Sequence, residues 1–322
     1  MAATPANLAR ALSSVLLLGL AGAAMVPPRP PVAVSLDPVP EPEAASPIAN
    51  VVPWQAPDVT PPPPPVDRRP EVVAWHAPAT MTLRQLAFAW SVPLARLTEL
   101  NPDLVISEPV VEGSAVAIYR ADDARPDRSI GPPNAGRLRG AVPMPEGDGW
   151  QLRKDRSRVW GTALTVDTLV STFTAYREHY PEAHPVQVRD LSTRRGGRIG
   201  PHRSHQSGRD VDIRFVANTL REDGTPWRRT TQDTFHTAAN WFLVKRLLDS
   251  GAVQSIFMSA KVQRWLRAHA VADVGEAAAA EYFESISHEH GHRHHMHVRF
   301  RCPANHGSCR ERTRTDAKPP SA

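Results

Sequence analysis

The rhythm of apolar and polar positions changes along the chain, and each change predicts a different kind of element. After a short polar start containing Arg10, residues 11–25 are almost wholly apolar, with a core at Val15, Leu16, Leu17, Leu18 and Leu20. Small residues follow at Ala21-Gly22-Ala23. This run falls short of the roughly 20 residues a spanning helix needs. It has the layout of a secretory signal peptide over residues 1–25, cleaved near Ala23. Residues 26–71 lose all periodicity and fill with proline, including Pro61 to Pro65 in one run, which predicts a semi-rigid spacer with no packed core.

From residue 72 the pattern becomes regular. Val72-Val73-Ala74-Trp75 suits a strand, and Thr82 caps a helix running through Leu83, Leu86 and Ala87. Pro93 opens a second short helix, with Leu94, Leu97 and Leu100 at helical spacing, and Asn101-Pro102 stops it. Residues 115–119 close with a strand. Residues 121–136 are polar, carry Pro126, Pro132 and Pro133, and read as a second linker. Beyond it, Val166, Leu169, Val170 and Phe173 mark one helix face, and Phe235, Ala238, Ala239, Phe242 and Leu243 mark a longer helix ended by Gly251. Residues 186–188, 211–215, 253–258 and 297–300 suit strands, while residues 272–286 could continue as helix. Intermixed helices and strands predict an α+β fold with a mainly antiparallel sheet over residues 137–310, followed by a polar tail, 311–322.

Composition refines this only modestly. The 322 residues carry a formal charge of +5 and a pI near 9.6, which favours polyanionic partners. Acidic residues are interleaved with basic ones, so no dense basic stripe argues for nucleic acid. Six residues lie between the two cysteines, Cys302 and Cys309. In an exported protein a local disulfide is the expected pairing; a zinc-binding pair is the alternative, at wider spacing than structural zinc sites use.

Two segments carry the chemistry. One holds His202, His205, Gly208, Asp210 and Asp212; the other holds His288, His290, His292, His294, His295 and His297. If residues 211–215 form a strand, Asp210 and Asp212 point to one face, and His295 and His297 likewise share a face. Gly208 allows a sharp turn before that strand. Two imidazoles and a carboxylate make a ligand set suited to zinc, and three protein ligands leave a position for water, whose pKa the ion lowers to about 7. A His-rich tract also binds metals loosely, a reading that covers His288, His290 and His294. Spacing alone does not separate Asp212 from Asp210.

The blocks Arg195-Gly196-Gly197-Arg198, Ser204-His205-Gln206-x-Gly208-x-Asp210-Val211-Asp212 and Gly291-His292-x-x-His295-Met296-His297-Val298-Arg299-x-Arg301-Cys302-Pro303, with Trp160-Gly161 and Asn240-Trp241, resemble penicillin-insensitive murein endopeptidases. That family sits within the group of lysostaphin-type peptidases, D-alanyl-D-alanine metallopeptidases and the hedgehog domain, and the resemblance implies their zinc fold. It implies His205, Asp212 and His297 as zinc ligands. It places His295 beside the water on the metal for proton transfer or oxyanion stabilisation, and gives His292 a supporting task. It also implies a candidate second metal at His202, Asp233 and His236, the last two read as neighbours on one helix face.

The implied reaction is hydrolysis of D-alanyl–diaminopimelyl cross-links in peptidoglycan, with no serine for β-lactams to acylate. A carboxypeptidase trimming terminal D-alanine is the nearest alternative, and a non-catalytic wall-binding zinc protein the next. Residues 72–120, through Thr82-Leu83-x-x-Leu86-Ala87 and Leu97-x-x-Leu100-Asn101-Pro102, resemble a LysM module, a glycan binder, with Ala79-Thr80-Met81 where such modules usually carry Gly-Asp before Thr-Leu. The leader implies export to the periplasm.

Overall fold

The structure is a computed structural model, and it describes residues 68–153, 155–221 and 230–312. The expected signal peptide, nearly all of the expected proline-rich spacer and the expected tail beyond residue 312 lie outside the described residues. In chain order the strands and helices are β1 (Val72–His76), β2 (Met81–Thr82), α1 (Leu83–Trp90), α2 (Leu94–Leu100), β3 (Pro109–Val110) and β4 (Ala115–Arg120). Then come β5 (Arg128–Ile130), β6 (Arg137–Arg139), β7 (Val142–Pro143), β8 (Trp150–Leu152), β9 (Trp160–Gly161), α3 (Ala163–His179), β10 (Val186–Val188) and β11 (Asp210–Arg214). The last are α4 (Thr237–Asp249), β12 (Val253–Met258), α5 (Ala260–Val274), α6 (Glu276–Glu284), β13 (Ile286–His288) and β14 (His295–Phe300). The class is α+β.

Local chemistry sets the early elements. Thr82 Oγ1 accepts from the Gln85 backbone N–H at 3.2 Å while Gln85 Oε1 accepts from the Thr82 N–H at 2.8 Å, a reciprocal cap that starts α1. Leu83, Leu86 and Trp90 then fall on one face and are buried. Pro93 is the cap of α2 rather than its first helical residue. β1 pairs antiparallel with β4 and β2 with β3, so the two short helices lie between paired strands.

Residues 127–136, expected as linker, are built into the fold instead. β5 pairs with β6, and Ser129 is buried. Asp127 is buried too, its carboxylate accepting from the Ala163 N–H at the start of α3 at 2.9 Å. Arg209 explains why: fully buried, it donates to Ser129 Oγ and to the carbonyls of Phe300 and Arg310, so β5 and the C-terminal segment are held by one guanidinium. The earlier elements also pack here, with the Trp90 ring edge-on to Trp160 at 6.2 Å. Cys302 and Cys309 form the expected disulfide.

The main sheet has six strands in the order β13-β12-β14-β11-β10-β8. Its inner pairings, β12–β14, β14–β11 and β11–β10, are antiparallel, and each edge adds a parallel strand. Alternation decides what each face does. Met296, Val298 and Phe300 of β14 and Val211 and Ile213 of β11 are fully buried in the apolar core, each contributing about 1.5–3 kcal/mol of burial. The intervening residues of both strands share the other face. α4 starts at Thr237, later than expected, because His236 is its cap: the imidazole Nδ1 accepts from the Ala239 N–H at 3.2 Å. Phe235, buried just before it, packs on Phe215 at 5.3 Å. The uncertain stretch after residue 272 is two helices, α5 and α6, broken at Gly275, where φ is +83°.

Candidate metal centre

Strand register builds the site. In the β11–β14 ladder Asp212 lies opposite His297, Asp210 opposite Arg299 and Arg214 opposite His295, so these polar side chains share one face. His205 arrives from the loop before β11 with a φ of +65°, a conformation that costs a non-glycine residue energy. Two bonds hold it there: its backbone N–H donates to Asp210 Oδ2 at 3.0 Å, and its ring Nδ1–H donates to the Leu191 carbonyl at 2.8 Å. Gly208 turns the chain with φ +75°, and a Cβ there would sit 2.7 Å from a Leu138 methyl.

The result is a tight triangle. His205 Nε2 lies 3.1 Å from His297 Nδ1, His297 Nδ1 lies 3.0 Å from Asp212 Oδ1, and Asp212 Oδ1 lies 3.3 Å from His205 Nε2. Proton assignment follows from the partners. A carbonyl only accepts, so His205 carries its proton on Nδ1 and presents a lone pair at Nε2. His297 donates from Nε2 to Asp210 Oδ1 at 3.0 Å, which leaves its Nδ1 lone pair facing inward. With His297 neutral, three buried acceptors converge with no donor among them, an arrangement that calls for a cation, either a proton on His297 Nδ1 or a metal ion. A tetrahedral ion with bonds of about 2.0–2.1 Å holds its ligand atoms roughly 3.3 Å apart, close to these separations. The residues present fit zinc.

Electrostatics agree. Burial raises the Asp212 carboxyl, but His205 and His297 pull it well below the carboxylate range. Asp210 is fully buried and opposed by the same desolvation, yet Arg299 at 2.9 Å and His297 hold it ionised and far down. Asp210 therefore holds the His205 backbone and the His297 ring rather than facing the triangle. Burial lowers His297, and its bonds to Asp210 and Asp212 more than reverse this, raising it to about 9. A proton on Nδ1 is the simplest cation to stabilise the triangle, and a metal would compete with it.

Around the deep triangle stand partly exposed imidazoles. His295 Nε2 lies 3.8 Å from Asp212 Oδ2, and burial pushes its pKa down to about 3, so it is neutral at pH 7. The His292 ring lies tilted against it, centroids 4.6 Å apart, and donates from Nδ1 to the His290 carbonyl; its ligand atom falls within 4.8 Å of those of Asp212 and His297. His202 belongs to this same cluster, with ligand atoms grouped with those of His205 and Asp212. Its Nε2–H donates to Asp190 Oδ2 at 2.7 Å.

Asp190 was not singled out in the sequence. It is buried and flanked by Arg153 and Arg158, and its carbonyl accepts from the Asp212 N–H at 2.9 Å. A lone aspartate after the Val186–Val188 strand gives no local signal of this. The separate second metal site is not assembled. Asp233 lies in a turn and His236 caps α4 instead of sharing a helix face, and no convergent ligand group among the described residues includes either. His288 accepts from the Ala260 N–H and lies edge-on to His290; His294 contacts His295, its Nδ1 2.7 Å from that of His295.

Fold and site together define an α+β protein with a buried, acceptor-only His₂Asp centre that suits a divalent cation. Comparison with known proteins then gives the family. The family model for penicillin-insensitive murein endopeptidase matches residues 129–319, more than half of the chain, and the chain belongs to that family. Among curated relatives, a penicillin-insensitive murein endopeptidase of Pectobacterium atrosepticum is 29% identical over 210 residues, 58% of this chain and 69% of that protein. Those of Yersinia pestis bv. Antiqua (28% over 208 residues, 60% and 72%) and Salmonella arizonae (27% over 199 residues, 57% and 70%) are similarly related. The match begins at β5, which agrees with residues 127–136 packing into this fold.

Proposed function

We propose that the protein is a zinc-dependent D,D-endopeptidase that hydrolyses the D-alanyl–diaminopimelyl cross-links of peptidoglycan. The observation that carries this reading is the convergence of His205 Nε2, His297 Nδ1 and Asp212 Oδ1 within 3.3 Å of one another, three acceptor atoms once His297 Nδ1 gives up its proton. Family membership supplies the substrate class. Bound at the triangle, zinc would supply a Lewis acid for a peptide carbonyl and water of lowered pKa.

The chain's own residues do the rest. Leu191 and Asp210 fix the ring protons of His205 and His297 so that lone pairs face inward. His295 offers a neutral ring nitrogen near Asp212, suited to hydrogen-bonding developing charge on the substrate or passing a proton, and His292 packs against it. His202, steered by Asp190, closes the other side. The three deep residues are buried while His202, His292 and His295 are partly exposed, so substrate reaches the centre past these rings. The strand-helix-helix-strand unit from β1 to β4 supports a LysM-like role in holding wall glycan, and the leader-like start supports export to the periplasm.

The test is digestion of purified cross-linked muropeptides by the zinc-loaded protein, with and without a chelator. Dimers should become monomers, and chelation should stop it. Loss of a single alanine would make the enzyme a carboxypeptidase. Persistence of dimers with zinc bound would leave a wall-binding protein.

A further inference from the structure

A cavity of about 420 Å³, lined by none of His205, Asp212 and His297, lies where β4, β6 and the segment following Asp190 meet the end of α2. Its floor is apolar: Val92, Ile118, Leu138 and Trp160 are all buried. Arginines line its walls. Arg125 is tied to Asp122 at 2.8 Å and Arg96 to Glu99 at 3.0 Å. Among the described residues no carboxylate is paired with Arg120, Arg137, Arg139, Arg194 or Arg195. Arg194 lies over the Trp160 ring, 6.0 Å from its centroid. Burial lowers its pKa, and the neighbouring charges of Arg195 and Arg96 lower it further, so like charge faces it where an acid would be expected.

Such a cluster has a stated chemistry. Guanidinium forks bind carboxylates in planar, charge-assisted pairs, and an anion bridging several of them turns mutual repulsion into attraction. The apolar floor adds a second requirement, since a bare inorganic anion would leave it uncovered. A D-alanyl chain end meets both, with a carboxylate beside a methyl group. We infer that this cavity binds the free carboxylate end of a murein stem peptide, a strand held apart from the bond being cut. The inference rests on the murein reading above. Position supports it: Arg194, Arg195 and the ligand His205 stand on one segment, bounded by Leu191, whose carbonyl fixes the His205 ring, and by Gly208. Within that segment the Gly197 N–H donates to the Gln206 carbonyl, and the Arg195 carbonyl accepts from the Leu138 N–H.

The experiment is calorimetric titration of the full chain with a soluble, uncross-linked disaccharide-tetrapeptide, which has no cross-link to cleave. The same muropeptide with amidated carboxylates and inorganic phosphate are the other probes. The free muropeptide should bind, the amidated one at least tenfold more weakly, and chelated protein as well as zinc-loaded protein. The exposed-arginine variant R120Q/R139Q/R195Q should lose at least tenfold; the amidated probe tests the same point on the wild-type fold if that variant is misfolded. Equal binding of free and amidated muropeptide overturns the inference. So does loss of binding on chelation, which would place the peptide at the metal, or tight phosphate binding that the muropeptide does not displace. If dimer digestion fails while carboxylate-dependent binding persists, the peptidase reading falls and this one stands; the converse result removes this one alone.

Discussion

The metal triangle and the arginine cavity are opposites. One gathers two imidazole nitrogens and a carboxylate around a place for a cation. The other gathers guanidinium donors with few acceptors. Each is electrostatically incomplete, and each is completed by a ligand of the other sign. The difference lies in burial. In the triangle His205, Asp212 and His297 are nearly inaccessible, so the missing cation must be small and its geometry is fixed by packing. In the cavity most of the arginines reach solvent, so water and salt screen part of the repulsion, and the partner is a larger anion.

Breaking the triangle should have the largest effect. Asp212→Asn keeps the shape but removes the charged ligand, and activity on cross-linked muropeptides should fall on the order of 10³-fold or more, with zinc content falling in parallel by atomic absorption. Asp210→Asn tests positioning, since it leaves the three ligand atoms in place. Zinc affinity should drop roughly 10–100-fold. In the wild type a metal would compete with a proton for His297 Nδ1, and because that site is raised to about 9, apparent zinc affinity should climb about tenfold per pH unit up to that point. Asp210→Asn removes one cause of the raised value, so its affinity should level off at lower pH in a competition titration. The cavity should give the smallest effect, with the opposite sign. Arg195→Gln relieves like-charge repulsion, and thermal unfolding of the ligand-free protein should show stability raised by a few tenths of a kcal/mol at most. A loss there would mean the cluster is already neutralised within the fold.

What could be read from the sequence follows the range of the physics involved. Alternation is local, so the strands expected at 211–215 and 297–300 put Asp210 with Asp212 and His295 with His297 on shared faces, although both strands begin earlier, at Asp210 and His295. The Thr82 cap and the helix faces of α1 and α3 are local too. Choosing Asp212 over Asp210 needed the family resemblance, and its physical basis is non-local: Arg299, across the ladder, occupies Asp210. Asp190 stayed hidden because its partners, Arg153, Arg158 and His202, come from separate segments. The arginine cavity was invisible for the same reason: residues spaced from 96 to 195 dilute into an evenly mixed charge pattern along the chain. Proline content made 121–136 look like a linker, yet a buried Arg209 far downstream pulls part of it into the fold. His236 carried helix-face spacing with Asp233, but an imidazole that caps a helix is no longer on it.

One property of β14 reaches beyond the site. Its alternate residues face either the core or the His-Asp triangle, so sliding the strand by a single position against β11 would drive imidazoles into the oil and leave methionine and valine in the triangle. Only the correct pairing puts His297 across from Asp212. A divalent cation bound during folding would therefore act as a proofreader, stabilising this alignment over a one-residue slip that turns the imidazoles away from Asp212.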